Sequence, residues 1–464
     1  MVRRLPMLDG IAPMDAAERF RDLPGLALLE SARPGRTGRW SYLSADPIDV
    51  LETPAGGADP FTGARSLLAR MAPGVLPAAD ADSAPDVPPF AGGLIGFLGY
   101  DLGRALERLP ALAVADQPLP ALRLGLHDWV LAWDRRRGAA WLAGRAVDGD
   151  IARLERRLDA VVARVARAGS PAEVPDDAGP SVFTSGVPHN GWVRNVEAVR
   201  AAIERGEVYQ ANIARRLEAP FAGDPWPLFR RLRTGDPALF AAFLDLGPSP
   251  ETGAPRALLS ASPEPFLSVR RDGLVSTDPI KGTRSRGRTR EADGRLAREL
   301  LASAKDRAEN VMIVDVLRND LGRVCVTGSV RVPRLLRLER TAAVQHLVTT
   351  VTGRLRPGLD PFHLLAAAFP GGSITGAPKI RAMEIIEGLE PVRRGPYCGA
   401  LAWIGPDGAM GSSILIRTFV ADGARLTLHV GGGITWRSDP EAEWEETVAK
   451  AHGPLTAIGA EERS

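Results

Sequence analysis

Short apolar runs of strand length, each closed by glycine, proline or arginine turns, recur along this chain and constrain its fold more than any other feature. Pro24 to Ser31 is a strand candidate, and after a Gly/Pro/Arg turn Gly38 to Leu43 alternates, so the two form a hairpin or neighbouring strands. Leu122 to Ala143 alternates and contains Trp129, Trp133 and Trp141, which predicts two paired strands turning at Arg135-Arg136-Arg137-Gly138. Phe240 to Leu246, Arg256 to Ser262 and Glu264 to Arg270 add strands, and Cys398 to Ile404, Ser412 to Val420 and Leu426 to Val430 read as three more. The last runs into Gly431-Gly432-Gly433-Ile434-Thr435, where backbone can approach a ligand without side-chain interference. Phe90 to Asp101 is apolar and glycine-laden; no strand, helix and later acid are arranged there as dinucleotide binding requires, so close backbone packing is expected.

Helical patterns lie between these runs. Ile151 to Arg167 is amphipathic, with Ile151, Leu154, Leu158, Val161, Val162 and Val165 on one face. Asn190 to Glu204 and a block from Glu291 to about Leu317 follow, and a last helix opens at Asp439-Pro440, an N-cap with proline at the first position. Residues 72 to 90 and 168 to 180 read as linkers, and the second marks the main boundary, between regions 1–170 and 183–460.

Composition excludes several classes. With 58 basic and 56 acidic residues among 464 the net charge is only +2, so no global field marks a nucleic-acid binder. Cys325 and Cys398 form neither a CxxC pair nor a disulfide framework, which fits a reducing, cytoplasmic setting. Leu5 to Ala17 lacks the apolar run of a signal peptide, and no 18-residue apolar stretch occurs, so neither export nor membrane insertion is expected.

The candidate chemistry gathers around one lysine. A strand-like run, Gly273 to Thr277, stops at Asp278-Pro279 and delivers Lys281 beside Gly282, a strand end where reactive groups are often presented. Arg284, Arg286, Arg288 and Arg290 follow, and their field is expected to favour the free amine. Glu309 lies on the apolar stripe of Ile313 and Val316 and therefore needs a salt bridge, a hydrogen-bond cage or a metal ion. Gly371 to Lys379 leads into a helix with Pro378 in its first turn, an anion site made of free N–H groups. On the last helix Glu443, Glu446 and Lys450 share a face, with a Glu446–Lys450 pair as the simplest reading.

Together GEVYQAN (206–212), SPE (262–264), DPIKGTR (278–284), KDRAENVMIVDVLRNDLG (305–322), GGSITGAPK (371–379), RGPYCG (394–399), IRT (416–418), GGGIT (431–435) and SDPEAEWEET (438–447) resemble the chorismate-utilising enzymes. The likeness is to the aminodeoxychorismate synthase component I branch and its relative, anthranilate synthase component I. The resemblance implies an α/β (α+β) fold of two orthogonally packed antiparallel sheets with outer helices, and a Mg²⁺-dependent site for chorismate, a dianion. It implies Mg²⁺ ligation by Glu309 and Glu446, with Asp306 and Glu443 as indirect partners. Arg417 and Tyr397 resemble the binders of the enolpyruvyl carboxylate, helped by Lys450 and the backbone of Gly431, Gly432 and Gly433, while Thr375 and Gly376 close the pocket. His346 resembles the histidine near the departing C4 hydroxyl. Ser31, Thr37, Gly38, Arg39, Trp40, Leu239, Phe240 and Ala241 occupy the places of a tryptophan pocket.

Within this resemblance, the lysine form PIKGT points to the aminodeoxychorismate branch. The implied route is covalent, with Lys281 attacking C2 of chorismate and Glu264 assisting departure of the C4 hydroxyl before ammonia enters. Leu28 to Ser31 favours instead the tryptophan-pathway branch, anthranilate synthase, and an idle tryptophan-binding regulator is a third reading, opposed by the intact set Glu264, Lys281, Glu309, Arg417 and Glu446. Neither cysteine sits in the strand-to-helix elbow of a glutaminase, so ammonia is expected from a separate class I glutamine amidotransferase subunit.

Overall fold

The computed structural model describes residues 1–33, 38–57, 59–71, 87–167, 179–340 and 344–463. Most of residues 72–90 and 168–180, read as linkers, lie outside this set, as does Thr37. The short apolar runs assemble into two sheets. The larger is ordered Val2–Arg4, Ala139–Gly144, Trp129–Asp134, Trp40–Ser44, Ala27–Glu30, Phe240–Pro248, Pro255–Ser262, Thr418–Asp422, Arg425–Ile434, Gln210–Pro220, Val182–Ser185 and Glu461–Arg463, with Gly376–Ala377 pairing the Gln210–Pro220 strand. The smaller runs Ile280–Ser285, Val344–Arg354, Leu274–Thr277, Pro265–Val269, Met410–Ile414, Ala400–Ile404, Gly93–Leu98, Leu122–His127 and Asp49–Thr53, and Arg331–Arg340 also pairs Val344–Arg354. Pairing is antiparallel apart from the last strand, which runs parallel to Val182–Ser185.

The chain passes between the sheets at points that the apolar pattern does not betray. Leu122 to Ala143 holds three strands rather than two: Leu122–His127 belongs to the smaller sheet, and only Trp129–Asp134 and Ala139–Gly144 form the expected hairpin. Ser412 to Val420 likewise divides between Met410–Ile414 in the smaller sheet and Thr418–Asp422 in the larger. Both segments are buried almost throughout, so their apolar character continues across the switch and periodicity cannot register it. A third passage, Ser262 to Pro265, is marked in the sequence by its proline.

Other expectations are adjusted. The Glu291 to Leu317 block is two helices, Arg290–Ala302 and Ala304–Gly322, broken where the Ser303 side chain accepts from the Asp306 N–H and caps the second. Pro378 is the N-cap of Lys379–Leu389 rather than part of its first turn. Gly431 to Ile434 forms the end of the Arg425–Ile434 strand, paired with Ala211 to Ala214. In helix Ile151–Ala166, Leu154, Leu158, Val161 and Val165 are buried, whereas Ile151 stands exposed at the first turn and Val162 is only partly covered. The hairpin of Ala27–Glu30 with Trp40–Ser44 forms as read. The glycines of Phe90 to Asp101 are close-packed: a Cβ on Gly96 would meet the Arg123 carbonyl at 1.9 Å.

Candidate active site

Lys281 is the second residue of Ile280–Ser285, which pairs with Val344–Arg354, so the lysine is held within the sheet rather than past its end. Its Nζ donates to the Ser373 carbonyl at 3.2 Å, and the same carbonyl accepts from Asn212 Nδ2 at 2.7 Å. Burial lowers the pKa of this amine; Glu309 and Glu264 oppose the shift and Lys450 assists it. The arginines after Lys281 are not its cause, because Arg284 is paired with Asp306 at 3.0 Å and Arg286 with Asp293 at 2.7 Å. Glu264 sits at the Ser262–Pro265 passage between the sheets, buried, and burial raises its pKa against the pull of Lys281. A buried amine and a buried carboxyl thus act on one another's charge, the pairing that suits a nucleophile and a proton donor.

The acidic side is built by two helices meeting a strand. Glu309 projects from Ala304–Gly322, and Glu443 and Glu446 from Pro440–Ile458. Gly432 lies against them: a Cβ there would stand 3.3 Å from Glu443 Oε2, 3.7 Å from Glu446 Oε1 and 3.7 Å from Lys450 Nζ. Lys305 Nζ lies 3.9 Å from Glu309 and 4.0 Å from Glu443, while Lys450 pairs with Glu446 at 2.7 Å and donates to the Gly431 carbonyl at 2.7 Å. Asp306 turns to Arg284 instead. Glu309 Oε1 is buried without a hydrogen-bond partner, and burial first, then the charges of Asp306 and Glu446, raise this carboxyl above its ordinary range. Among the described residues no three metal-ligating side chains form a ready cage. An oxygen-only set of two or three carboxylates, one of them orphaned, nevertheless fits Mg²⁺, which takes few protein carboxylates and completes its shell with waters and substrate oxygens.

Arg417 lies at the Ile414–Thr418 passage between the sheets, in a left-handed conformation at φ 50, with its carbonyl accepting from the Ala261 N–H. His346 bonds Thr283 through Nδ1 at 2.9 Å; burial, then Arg33 and Arg417, bring its pKa down to about 4, so the ring is neutral at physiological pH. Tyr397 is buried and stacked on His429 at 5.0 Å, beside the Arg394 guanidinium. Among the described residues no hydrogen bond joins it to Arg417. Thr375 is buried with its hydroxyl on the Gly371 carbonyl, and Gly376 packs so closely that a Cβ would meet the Gln210 carbonyl at 2.1 Å, so both shape the loop. The same loop is fixed by Arg394, which bonds Glu390 and the carbonyls of Ile374 and Asn212.

A separate cavity of about 250 Å³ is lined by Glu30, Ser31, Trp40, Leu239, Phe240 and Ala241, together with Asp278 and Trp403. Gly38 adjoins it through Leu239, but Arg39 is bonded to Asp134 and lies over the Trp40 ring. Ser373, Asn212, Lys305 and Arg394 were not singled out from the sequence. The spacing of Lys305 four residues before Glu309 was a usable signal, whereas a backbone carbonyl such as that of Ser373 leaves none.

The chain belongs to the family of chorismate binding enzymes, which it matches over residues 28–456. It is 39% identical to aminodeoxychorismate synthase component 1 of Salmonella typhimurium over 94% of this chain and 95% of that protein. It is also 39% identical to anthranilate synthase component 1 of Streptomyces coelicolor, over 97% of this chain and 87% of that one. Anthranilate synthase component I from Streptococcus pneumoniae shares the fold, with a TM-score of 0.78 and 29% identity over 91% of this chain and 93% of that structure. No helix among the described residues is long and apolar enough to cross a membrane.

Proposed function

We propose that the protein converts chorismate and ammonia to 4-amino-4-deoxychorismate. The observation that carries this reading is Lys281, whose amine burial favours in its free form, opposite Glu264 and beside the Glu309–Glu446 carboxylates. The free amine attacks C2 of chorismate, Glu264 gives its proton to the departing C4 hydroxyl, which leaves as water, and ammonia adds at C4 while Lys281 is expelled from C2. Glu309 and Glu446, with Glu443, would hold Mg²⁺, which when bound would neutralise these acids against the ring carboxylate. Arg417 binds the enolpyruvyl carboxylate, and neutral His346 stands where the C4 hydroxyl departs. Ammonia comes from a separate glutamine amidotransferase subunit, in keeping with the component 1 naming of the relatives. The cavity at Ser31 and Trp40 takes tryptophan in this reading.

Equal identity to an anthranilate synthase component 1 makes that activity the rival. Purified protein given chorismate, Mg²⁺ and ammonium should accumulate a non-aromatic amine, identified by mass, with neither anthranilate nor p-aminobenzoate, and should do nothing with glutamine alone. Fluorescent anthranilate as the product would move the assignment to the rival.

A further inference from the structure

Resting on that functional reading, we propose that Arg33 completes a two-guanidinium clamp with Arg417 for the carboxylate of the substrate that faces away from the metal carboxylates. The first observation is an imbalance of charge. Arg33, from the loop after Ala27–Glu30, lies near enough to Arg417, Asp236 and His346 for their charges to act on one another. Arg417 Nη1 lies 3.8 Å from Asp236 Oδ2, so one carboxylate stands among two guanidinium ions and a neutral imidazole. The group therefore holds an excess of one positive charge.

The second observation is lack of partners. Among the described residues Arg33 makes no ion pair or side-chain hydrogen bond, and its Nε is buried and unsatisfied; Asp236 Oδ2 is buried without a hydrogen bond as well. A half-buried guanidinium that shares a single carboxylate with a second guanidinium is incompletely neutralised, and the ligand that completes the balance is a planar anion able to accept paired N–H donors, a carboxylate above all. The third is placement. Arg417 is held at φ 50 on the passage between the sheets, and His346 is bonded to Thr283, two residues from Lys281, so an anion between the guanidinium ions lies at the mouth of the lysine pocket. A dicarboxylate bound at both ends is thereby oriented along the line from the Glu309–Glu446 side to the Arg33–Arg417 side, with its ring over Lys281. Arg33 is thus a binding residue contributed by the N-terminal half of the chain.

The test compares Arg33→Gln, Arg33→Lys and Asp236→Asn with wild type, using circular dichroism to verify folding, steady-state kinetics with ammonium, and chorismate binding by calorimetry in the absence of ammonia. Arg33→Gln should raise Kd and KM for chorismate roughly ten- to hundredfold, with a smaller change in kcat. Arg33→Lys, which keeps the charge but not the fork, should fall between. Asp236→Asn removes the competing carboxylate and should tighten binding, a change of opposite sign that simple structural damage does not produce. Chorismate binding within twofold of wild type in folded Arg33→Gln, or weaker binding in Asp236→Asn, overturns the clamp while leaving the functional reading intact. Should Arg33→Gln fail to fold, the Lys and Asn variants decide by the same signs. Wild-type protein that neither binds nor turns over chorismate overturns the functional reading, and the clamp with it.

Discussion

Lys281 shows what a side chain gains from its surroundings. Burial moves its amine below the ordinary lysine value, and the opposing pull of Glu309 and Glu264 keeps that shift from running free. A depressed pKa means that the reactive free amine is lost as pH falls through the folded-state value and is fully present above it. The rate of the Lys281 step should therefore rise with pH about a midpoint below 10.5, the ordinary lysine value, and turn down where Glu264 loses the proton it donates. Single-turnover formation of a Lys281 adduct, followed by peptide mass from pH 6 to 10, checks this, and Lys281→Ala should form none. Continued increase up to the ordinary lysine value would count against a buried nucleophile. At this scale the structure gathers Lys281, Glu264, Glu309 and Glu446, the residues to which the resemblance assigns the chemistry. The misreading was of Arg284 and Arg286, whose charge is answered by Asp306 and Asp293, partners brought close only by the packing of helices Arg290–Ala302 and Ala304–Gly322 on the sheet.

Individual elements set the distances. The break at Ser303 lets Ala304–Gly322 start afresh with its own cap, placing Lys305 and Glu309 one turn apart at the inner end of a new helix. Continuous helical periodicity in the sequence hid that break, because Ser303 is tolerated within a helix and only its cap bond reveals the change of direction. Opposite, Gly432 on the Arg425–Ile434 strand is packed against Glu443, Glu446 and Lys450. Gly432→Ala adds one methyl group at 3.3 to 3.7 Å from three charged side-chain tips, which can give way without unfolding the strand. It should leave the thermal transition within a few degrees of wild type, yet raise the Mg²⁺ concentration needed for half-maximal activity several-fold, on the order of 1 kcal/mol in metal binding. Titration of activity against Mg²⁺, beside a melting curve, measures both; an unchanged Mg²⁺ requirement would separate Gly432 from the metal side of the pocket.

For the whole molecule, sequence and architecture part company most clearly. The linker-like composition of residues 168–180 invites a division there, yet both sheets are built from strands on either side of it, joined where Ala27–Glu30 pairs with Phe240–Pro248 and where Gly93–Leu98 pairs with Ala400–Ile404. Pairings between residues two or three hundred positions apart leave no trace in local periodicity, which is why strands were legible and their sheet order was not. Separately expressed fragments 1–167 and 179–464 should each expose a torn sheet and aggregate, while co-expression should restore soluble, active protein. Size-exclusion chromatography of the single and paired fragments distinguishes these outcomes.

The passages between the sheets carry a last implication, one of cooperativity. Glu264 and Arg417 stand at places where the chain leaves one sheet for the other, so each is anchored from two directions by strands of different layers. Neither layer alone fixes either residue. A partly melted protein that kept one sheet would keep no half-site, and catalytic competence is therefore an all-or-none property of the folded chain, lost at the same moment as the register between its two layers.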